Sequence, residues 1–78
     1  MSAAYRRIRD LREDRDLTQR QVGEAIGVPQ RTYAYYESGQ RMPTPQVLCA
    51  LARFHGTSVD YLLELTGNPA PYPRRRNP

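Results

Sequence analysis

The sequence has few residues that could cross-link the chain or hold a metal ion: among 78 residues there is one cysteine, Cys49, and one histidine, His55. A lone cysteine excludes an internal disulfide, and one cysteine with one histidine is too few for a structural zinc site. A domain of this length buries only about 60% of the surface of its unfolded chain. We therefore expect regular helix packing or a partner chain to supply the stability.

Long apolar runs are also missing. No stretch approaches the roughly 20 apolar residues of a membrane-spanning helix, and the first seven residues, MSAAYRR, lack the apolar segment of a signal peptide. We expect a cytoplasmic protein with no membrane partner. The sequence has no glycine-rich nucleotide-binding loop, paired metal ligands or nucleophile with a base, which predicts a protein that is not an enzyme and uses no cofactor or metal.

Basic residues outnumber acidic ones, and all 12 of them are arginine, giving a net charge of +4. Three of these arginines, Arg74, Arg75 and Arg76, lie near the C-terminus, so residues 1–73 carry nine arginines against eight acidic residues. The body of the protein is nearly neutral, and its charge alone is weak evidence for nucleic-acid binding. The arginine run has three interpretations: a solvated tail, an arm adding nonspecific DNA affinity, or the remains of a cleaved or continued chain.

Four of the five glycines follow stretches with helical apolar spacing, at positions where a left-handed residue ends a helix at least cost. This punctuation predicts five helices, over residues 4–15, from Thr18 to Gly27, over 30–37, over 45–54, and from Ser58 to just before Gly67. With no alternating strand pattern and no internal repeat, we predict one all-α domain over residues 1–67. From residue 68 the chain becomes rich in proline and arginine, which predicts a flexible, disordered tail over 68–78.

The second and third predicted helices are separated by only a few residues around Gly27, which predicts a steep helix-turn-helix crossing. Gly23 lies inside the second helix, where it costs about 1 kcal/mol relative to alanine. That cost is understandable if the third helix rests against it; the alternative is a tolerated weak position. In the third helix, Tyr33 and Tyr36 are predicted to face the core with their hydroxyls reaching the surface.

The segment LTQRQVGEAIGVPQRTYAYYESG, residues 17–39, resembles the phage repressor and Cro type of helix-turn-helix, often called the XRE family. The likeness covers nearly the whole domain, and further matching positions are Arg12, Pro43 and residues 56–63. The resemblance implies a compact five-helix lambda-repressor-like domain that binds operator DNA, usually as a dimer, with its third helix in the major groove.

The resemblance also implies contact residues. Gln30, Arg31 and Tyr35 match positions that face base edges in the family, and Gln19 matches one that contacts the phosphate backbone. The chemistry is suitable, because glutamine pairs with adenine, arginine pairs with guanine, and a tyrosine ring can lie against a thymine methyl group. Further phosphate contacts are expected from Thr32 and Arg41.

The family pairs an arginine of its first helix with the glutamate that ends the third, and Arg12 and Glu37 match these positions. We interpret this pair as structural. Two positions depart from the family pattern: Tyr33 stands where a branched aliphatic residue is common, and Pro29 stands where serine or threonine is frequent.

These observations predict a sequence-specific double-stranded DNA-binding transcriptional regulator, a repressor that binds a palindromic operator as a homodimer. Tyr61, Leu65 and Tyr72 are the hypothetical dimer surface. A second hypothesis is a protein-interaction module, such as an antitoxin that neutralises a partner protein. A third is nonspecific DNA or RNA binding through the arginine tail.

Two further residues have simpler interpretations. Cys49 lies in the apolar fourth helix and is predicted to be buried. His55 ends that helix, where an imidazolium would interact favourably with the helix dipole.

Overall fold

The structure is a computed structural model that describes residues 5–71. It contains α1 (Arg6–Asp14), α2 (Gln19–Ile26), α3 (Gln30–Ser38), α4 (Pro45–His55) and α5 (Val59–Leu62), with no strand in the described range. The predicted all-helical, five-helix fold is confirmed. Most of the predicted tail, including Tyr72 and the arginine run, lies outside the described residues.

The helix starts follow from local hydrogen bonding. At α2 the hydroxyl of Thr18 accepts from the Gln21 N–H at 3.0 Å, while the Gln21 side chain accepts from the Thr18 N–H at 2.8 Å. This reciprocal arrangement is the predicted capping box, which satisfies two amides that have no partner within the helix. Thr44 begins α4 in a similar way, with its hydroxyl 3.2 Å from the Val47 amide nitrogen.

The last helix is shorter than the sequence predicts. Ser58 caps it through the Tyr61 N–H at 3.0 Å, but α5 ends at Leu62 rather than near Gly67. The backbone turns away because Glu64 adopts a left-handed φ of 62°, and the Leu65 N–H then donates to the Asp60 carbonyl at 2.8 Å.

The core receives one fully buried side chain from each helix. These residues have no exposed surface and are Ile8, Val22, Tyr33, Leu51 and Leu62. Full burial of a side chain of this size stabilises the fold by about 1.5–3 kcal/mol relative to leaving it exposed. Since every helix contributes one, each is fixed to the same centre, and α3 is held there by a tyrosine.

Two predictions about α4 are wrong. Cys49 is exposed, because the buried positions of the helix are Leu51 and Ala52, and Cys49 shares the opposite side with exposed Arg53 one turn later. His55 does not carry the expected charge at neutral pH, since burial together with the nearby charge of Arg15 lowers its pKa to about 4. The imidazole is therefore neutral at the helix end.

Candidate nucleic-acid interface

The crossing of α2 and α3 is the most extensive helix contact within residues 5–71, and Gly23 makes it possible. A β-carbon at Gly23 would lie 2.9 Å from the carbonyl oxygen of Val28 and 3.6 Å from the α-carbon of Gln30. The Val28 N–H also donates to the Gly23 carbonyl at 2.9 Å. The start of α3 therefore rests directly on Gly23, which confirms the interpretation of this glycine as a packing requirement.

The inward side of α3 is anchored by Tyr33, which is fully buried. Its hydroxyl donates to the carbonyl oxygen of Ile8 at 3.5 Å and also lies near the Glu37 carboxylate. Burial, reinforced by the bond to the Glu37 carboxylate, raises the pKa of Tyr33 well above its usual value. The expectation that this hydroxyl reaches the surface is wrong, because the interior of the protein provides its partners.

Glu37 connects three helices. Its carboxylate accepts from Arg12 through Nε at 2.6 Å and Nη2 at 3.2 Å, and from Gln19 Nε2 at 3.1 Å. The side chains of Arg12 and Glu37 are only 14% and 5% exposed. Burial alone would raise the pKa of Glu37, but the hydrogen bonds from Arg12, Tyr33 and Gln19 outweigh it and the net pKa is lowered. The charged network fixes α3 to α1 and α2.

The outward side of α3 is different. Gln30 and Arg31 are exposed, and neither side chain makes a hydrogen bond or ion pair within residues 5–71. Thr32 and Tyr35 are half-buried. Because Arg31 and Tyr35 are four residues apart, they lie on the same side of the helix. This side therefore presents one amide and one guanidinium to the exterior, followed by an aromatic ring.

The loop after α3 returns to this surface. The guanidinium carbon of Arg41 lies 5.2 Å from the centroid of the Tyr35 ring, and the Arg41 N–H donates to the Tyr35 carbonyl at 3.2 Å. From the sequence alone, these two residues were expected to make separate contacts. The sequence signal for this return of the loop is Gly39, which ends the helix, with Arg41 two residues later. That signal does not specify which aromatic ring the arginine contacts.

Gln19, at the first position of α2, adjoins the same region. A polar cleft of about 300 Å³ separates α1, α2 and α3, and its lining residues are Arg9, Arg12, Gln19, Ala34, Glu37 and Ser38. The side-chain nitrogen of Gln19 carries two hydrogens, so its bond to Glu37 leaves one for another acceptor. The hydrogen bond from the Gln19 side chain to Glu37 was not predicted from the sequence.

The residues of the hypothetical dimer surface differ in their exposure. Leu65 is 71% exposed, whereas Tyr61 is half-buried with the guanidinium carbon of Arg7 4.0 Å from its ring centroid. Arg7 also donates to the Tyr61 carbonyl at 2.9 Å. Tyr72 lies outside the described residues.

Residues 5–71 contain no group of three or more histidine, cysteine, aspartate or glutamate side chains that could hold a metal ion. In the same range no helix has the length and apolar character needed to cross a lipid bilayer.

Comparisons with known proteins find related sequences. The chain is 41% identical over 71 residues to the uncharacterized HTH-type transcriptional regulator YobD of Bacillus subtilis (strain 168), an alignment covering 91% of this chain and 63% of that protein. It is 42% identical over 57 residues to the cryptic phage CTXphi transcriptional repressor RstR of Vibrio cholerae, covering 73% and 51% of the two chains. The chain thus spans only part of the length of these curated relatives.

A solved structure has a similar fold. The P22 c2 repressor protein, in complex with synthetic operator 9T in the presence of Tl+, superposes with a TM-score of 0.75 at 28% identity, covering 82% of this chain and 97% of that one. The family described as Helix-turn-helix matches residues 8–62, the range from the buried isoleucine of α1 to the end of α5. The chain therefore belongs to the helix-turn-helix family.

Proposed function

We propose that this chain is a sequence-specific double-stranded DNA-binding regulator that represses transcription, with α3 placed in the major groove. The observation that carries the proposal is the outward side of α3, where Gln30 and Arg31 are exposed and have no polar partner within residues 5–71, while the opposite side is anchored in the core. The likeness to named transcriptional regulators and to a repressor bound to a synthetic operator supports the same function.

Base contacts are assigned to three side chains. The Gln30 amide can both donate to and accept from adenine, and the Arg31 guanidinium can donate twice to guanine N7 and O6. The ring of Tyr35 supplies an apolar surface for a thymine methyl group. These groups are complementary to base edges of the major groove, which an α-helix can enter.

Phosphate contacts are assigned to Gln19, Thr32 and Arg41. Gln19 combines a side-chain hydrogen not used by Glu37 with its place at the N-terminus of α2, where backbone amides favour an anionic oxygen. Arg41 is exposed and carries a full positive charge. Such contacts position the protein on the duplex without distinguishing one sequence from another.

The operator is proposed to be palindromic and bound by a homodimer whose half-sites lie about 34 Å apart, one helical turn of DNA. The exposed side chain of Leu65 is assigned to the dimer surface together with Tyr61 and Tyr72. Sedimentation of the protein with and without DNA tests this assembly. A monomer at high concentration in both samples would contradict it.

Selection of bound fragments from random duplexes tests the proposed function as a whole. We expect the full chain to enrich one palindromic sequence, and deletion of residues 68–78 to cause a modest loss of affinity that is the same for every duplex. No enrichment at low salt would contradict the proposal and favour a protein-interaction module. If the deletion abolished all binding, nonspecific attachment through the tail would be the better explanation.

Alanine variants test the contact assignments on the selected duplex. Gln30→Ala and Arg31→Ala should each weaken binding by about 1–3 kcal/mol and relax the preference at one base position. Gln19→Ala should instead weaken selected and random duplexes alike. Titrations at fixed salt measure these effects, and thermal unfolding checks that Arg31→Ala remains as stable as the original protein. An equal loss on selected and random duplexes for Arg31→Ala would contradict its assignment to a base.

A further inference from the structure

Tyr35 is held by the loop that follows α3 as well as by the helix itself. Its carbonyl oxygen accepts from the Arg41 N–H at 3.2 Å and from the Ser38 hydroxyl at 3.1 Å. The Gln40 N–H donates in turn to Ser38 Oγ at 3.4 Å. These bonds fold the loop back over the last turn of the helix, and this brings the Arg41 side chain to the Tyr35 ring.

The Arg41 guanidinium, 5.2 Å from the ring centroid, is within the distance at which a cation is attracted to an aromatic face. Guanidinium is planar and weakly hydrated, so it stacks on a ring, whereas the lysine ammonium is a compact and strongly hydrated charge. Arg41 itself remains exposed and Tyr35 is half-buried. The guanidinium thus lies over one face of a ring whose residue is not fully buried.

We propose that Arg41, which lies outside α3, is a positioning residue for base recognition: it holds the Tyr35 ring against the 5-methyl group of one pyrimidine. This inference rests on the proposed function and deepens it. A methyl group offers only short-range van der Waals attraction, which weakens markedly when a gap of about 0.5–1 Å opens. A ring without its restraint would lose that contact, so discrimination between thymine and uracil at this position depends on both residues together.

The same arginine can contact a phosphate, and the two roles are separable by substitution. Arg41→Lys keeps the positive charge and hence a phosphate contact, but it removes the planar group that lies over the Tyr35 ring. Arg41→Ala removes both. The exposed Arg53 offers a matched control, since Arg53→Lys makes the same chemical change on a different helix, α4.

The experiment uses the duplex enriched by selection, with each thymine replaced in turn by deoxyuridine so that a single methyl group is lost. For the original protein we expect a loss of affinity of about fourfold at one position in each half-site, the effect of removing one buried methyl group. Tyr35→Ala should abolish this methyl dependence. Arg41→Lys should also bring the affinity ratio between the thymine and deoxyuridine duplexes close to one, with the salt dependence of binding unchanged. Arg53→Lys should retain the full ratio.

A second measurement examines the pair without DNA. In the free protein, ring currents should shift the Arg41 side-chain protons upfield in the NMR spectrum, and Tyr35→Ala should remove that shift. Thermal unfolding checks that each variant remains folded.

Several results would overturn the inference while leaving the proposed function intact. One is a bound duplex on which no thymine shows a methyl effect. Another is that Arg41→Lys retains the full methyl effect, while Arg41→Ala only weakens binding to every duplex and reduces the salt dependence of binding. Selection without any enriched duplex would instead overturn the proposed function, and this inference with it.

Discussion

The two sides of α3 differ in how completely their polar groups are satisfied. On the inward side, the Tyr33 hydroxyl and the Glu37 carboxylate are buried and bonded to groups from α1 and α2. On the outward side, Gln30 and Arg31 are exposed with no hydrogen bond or ion pair within the described range. One nine-residue helix is thus fixed along one side, so that the other presents free hydrogen-bonding groups in a defined orientation.

The strongest test of the inward side is Tyr33→Ala, because this ring is fully buried at the centre of the core. We expect the free energy of unfolding to fall by about 3–5 kcal/mol, as for other large aromatic residues truncated in a core. Tyr33→Phe keeps the ring and removes only the hydroxyl, so it should cost about 1 kcal/mol. Urea denaturation measures both variants. Equal stability of Tyr33→Ala and the original protein would show that α3 is not anchored by this residue.

Glu37→Gln tests the charged network on the same side. Removal of one partner leaves the Arg12 charge partly buried without its counter-ion, which should cost about 3 kcal/mol at neutral pH. The pKa of Glu37 is lowered in the folded protein, so its stabilising effect is present above the unfolded pKa and is lost as the pH falls through the folded value. Stability should therefore decline with acid below about pH 4.5 more steeply in the original protein than in the glutamine variant.

Parallel acid titrations of the two proteins, followed by urea denaturation at each pH, measure this difference. Identical slopes would show that Glu37 does not contribute to the acid sensitivity of the fold.

A smaller effect is expected where α3 touches α2. Alanine at Gly23 would gain about 1 kcal/mol of helix propensity, but its β-carbon would lie 2.9 Å from the backbone oxygen of Val28. Since backbone must move to relieve this contact, we expect Gly23→Ala to destabilise the protein by a net of about 1–2 kcal/mol. Gly67→Ala is the control, because within residues 5–71 no atom beyond its chain neighbours lies within 4 Å of the position its β-carbon would take. Stabilisation by Gly23→Ala in thermal unfolding would contradict the close crossing.

Much of this architecture could be predicted because it depends on local signals. The capping box of Thr18 and Gln21 and the turn at Gly27 need only a few neighbouring residues, and the helix-turn-helix resemblance extended them to nearly the whole domain. The helical period alone did not distinguish the buried side of α4 from the side occupied by Cys49.

The predictions that failed, or were not made, depend on contacts between distant residues. The Tyr33 hydroxyl donates to the Ile8 carbonyl, and this partner comes from the tertiary packing of α1 on α3. The Gln19 bond to Glu37 and the contact of the Arg41 guanidinium with the Tyr35 ring also require a loop or helix to return to an earlier element. The spacing of residues along the chain does not predict such contacts.

The proposed role of the outward side of α3 can be examined residue by residue in an NMR titration of the isotope-labelled protein with the selected duplex. We expect the largest changes in amide chemical shift on residues 30–35, at Gln19 and at Arg41, with small changes along α4. Largest changes along α4 and α5, with residues 30–35 unaffected, would contradict the assignment of the outward side of α3 as the DNA-binding surface.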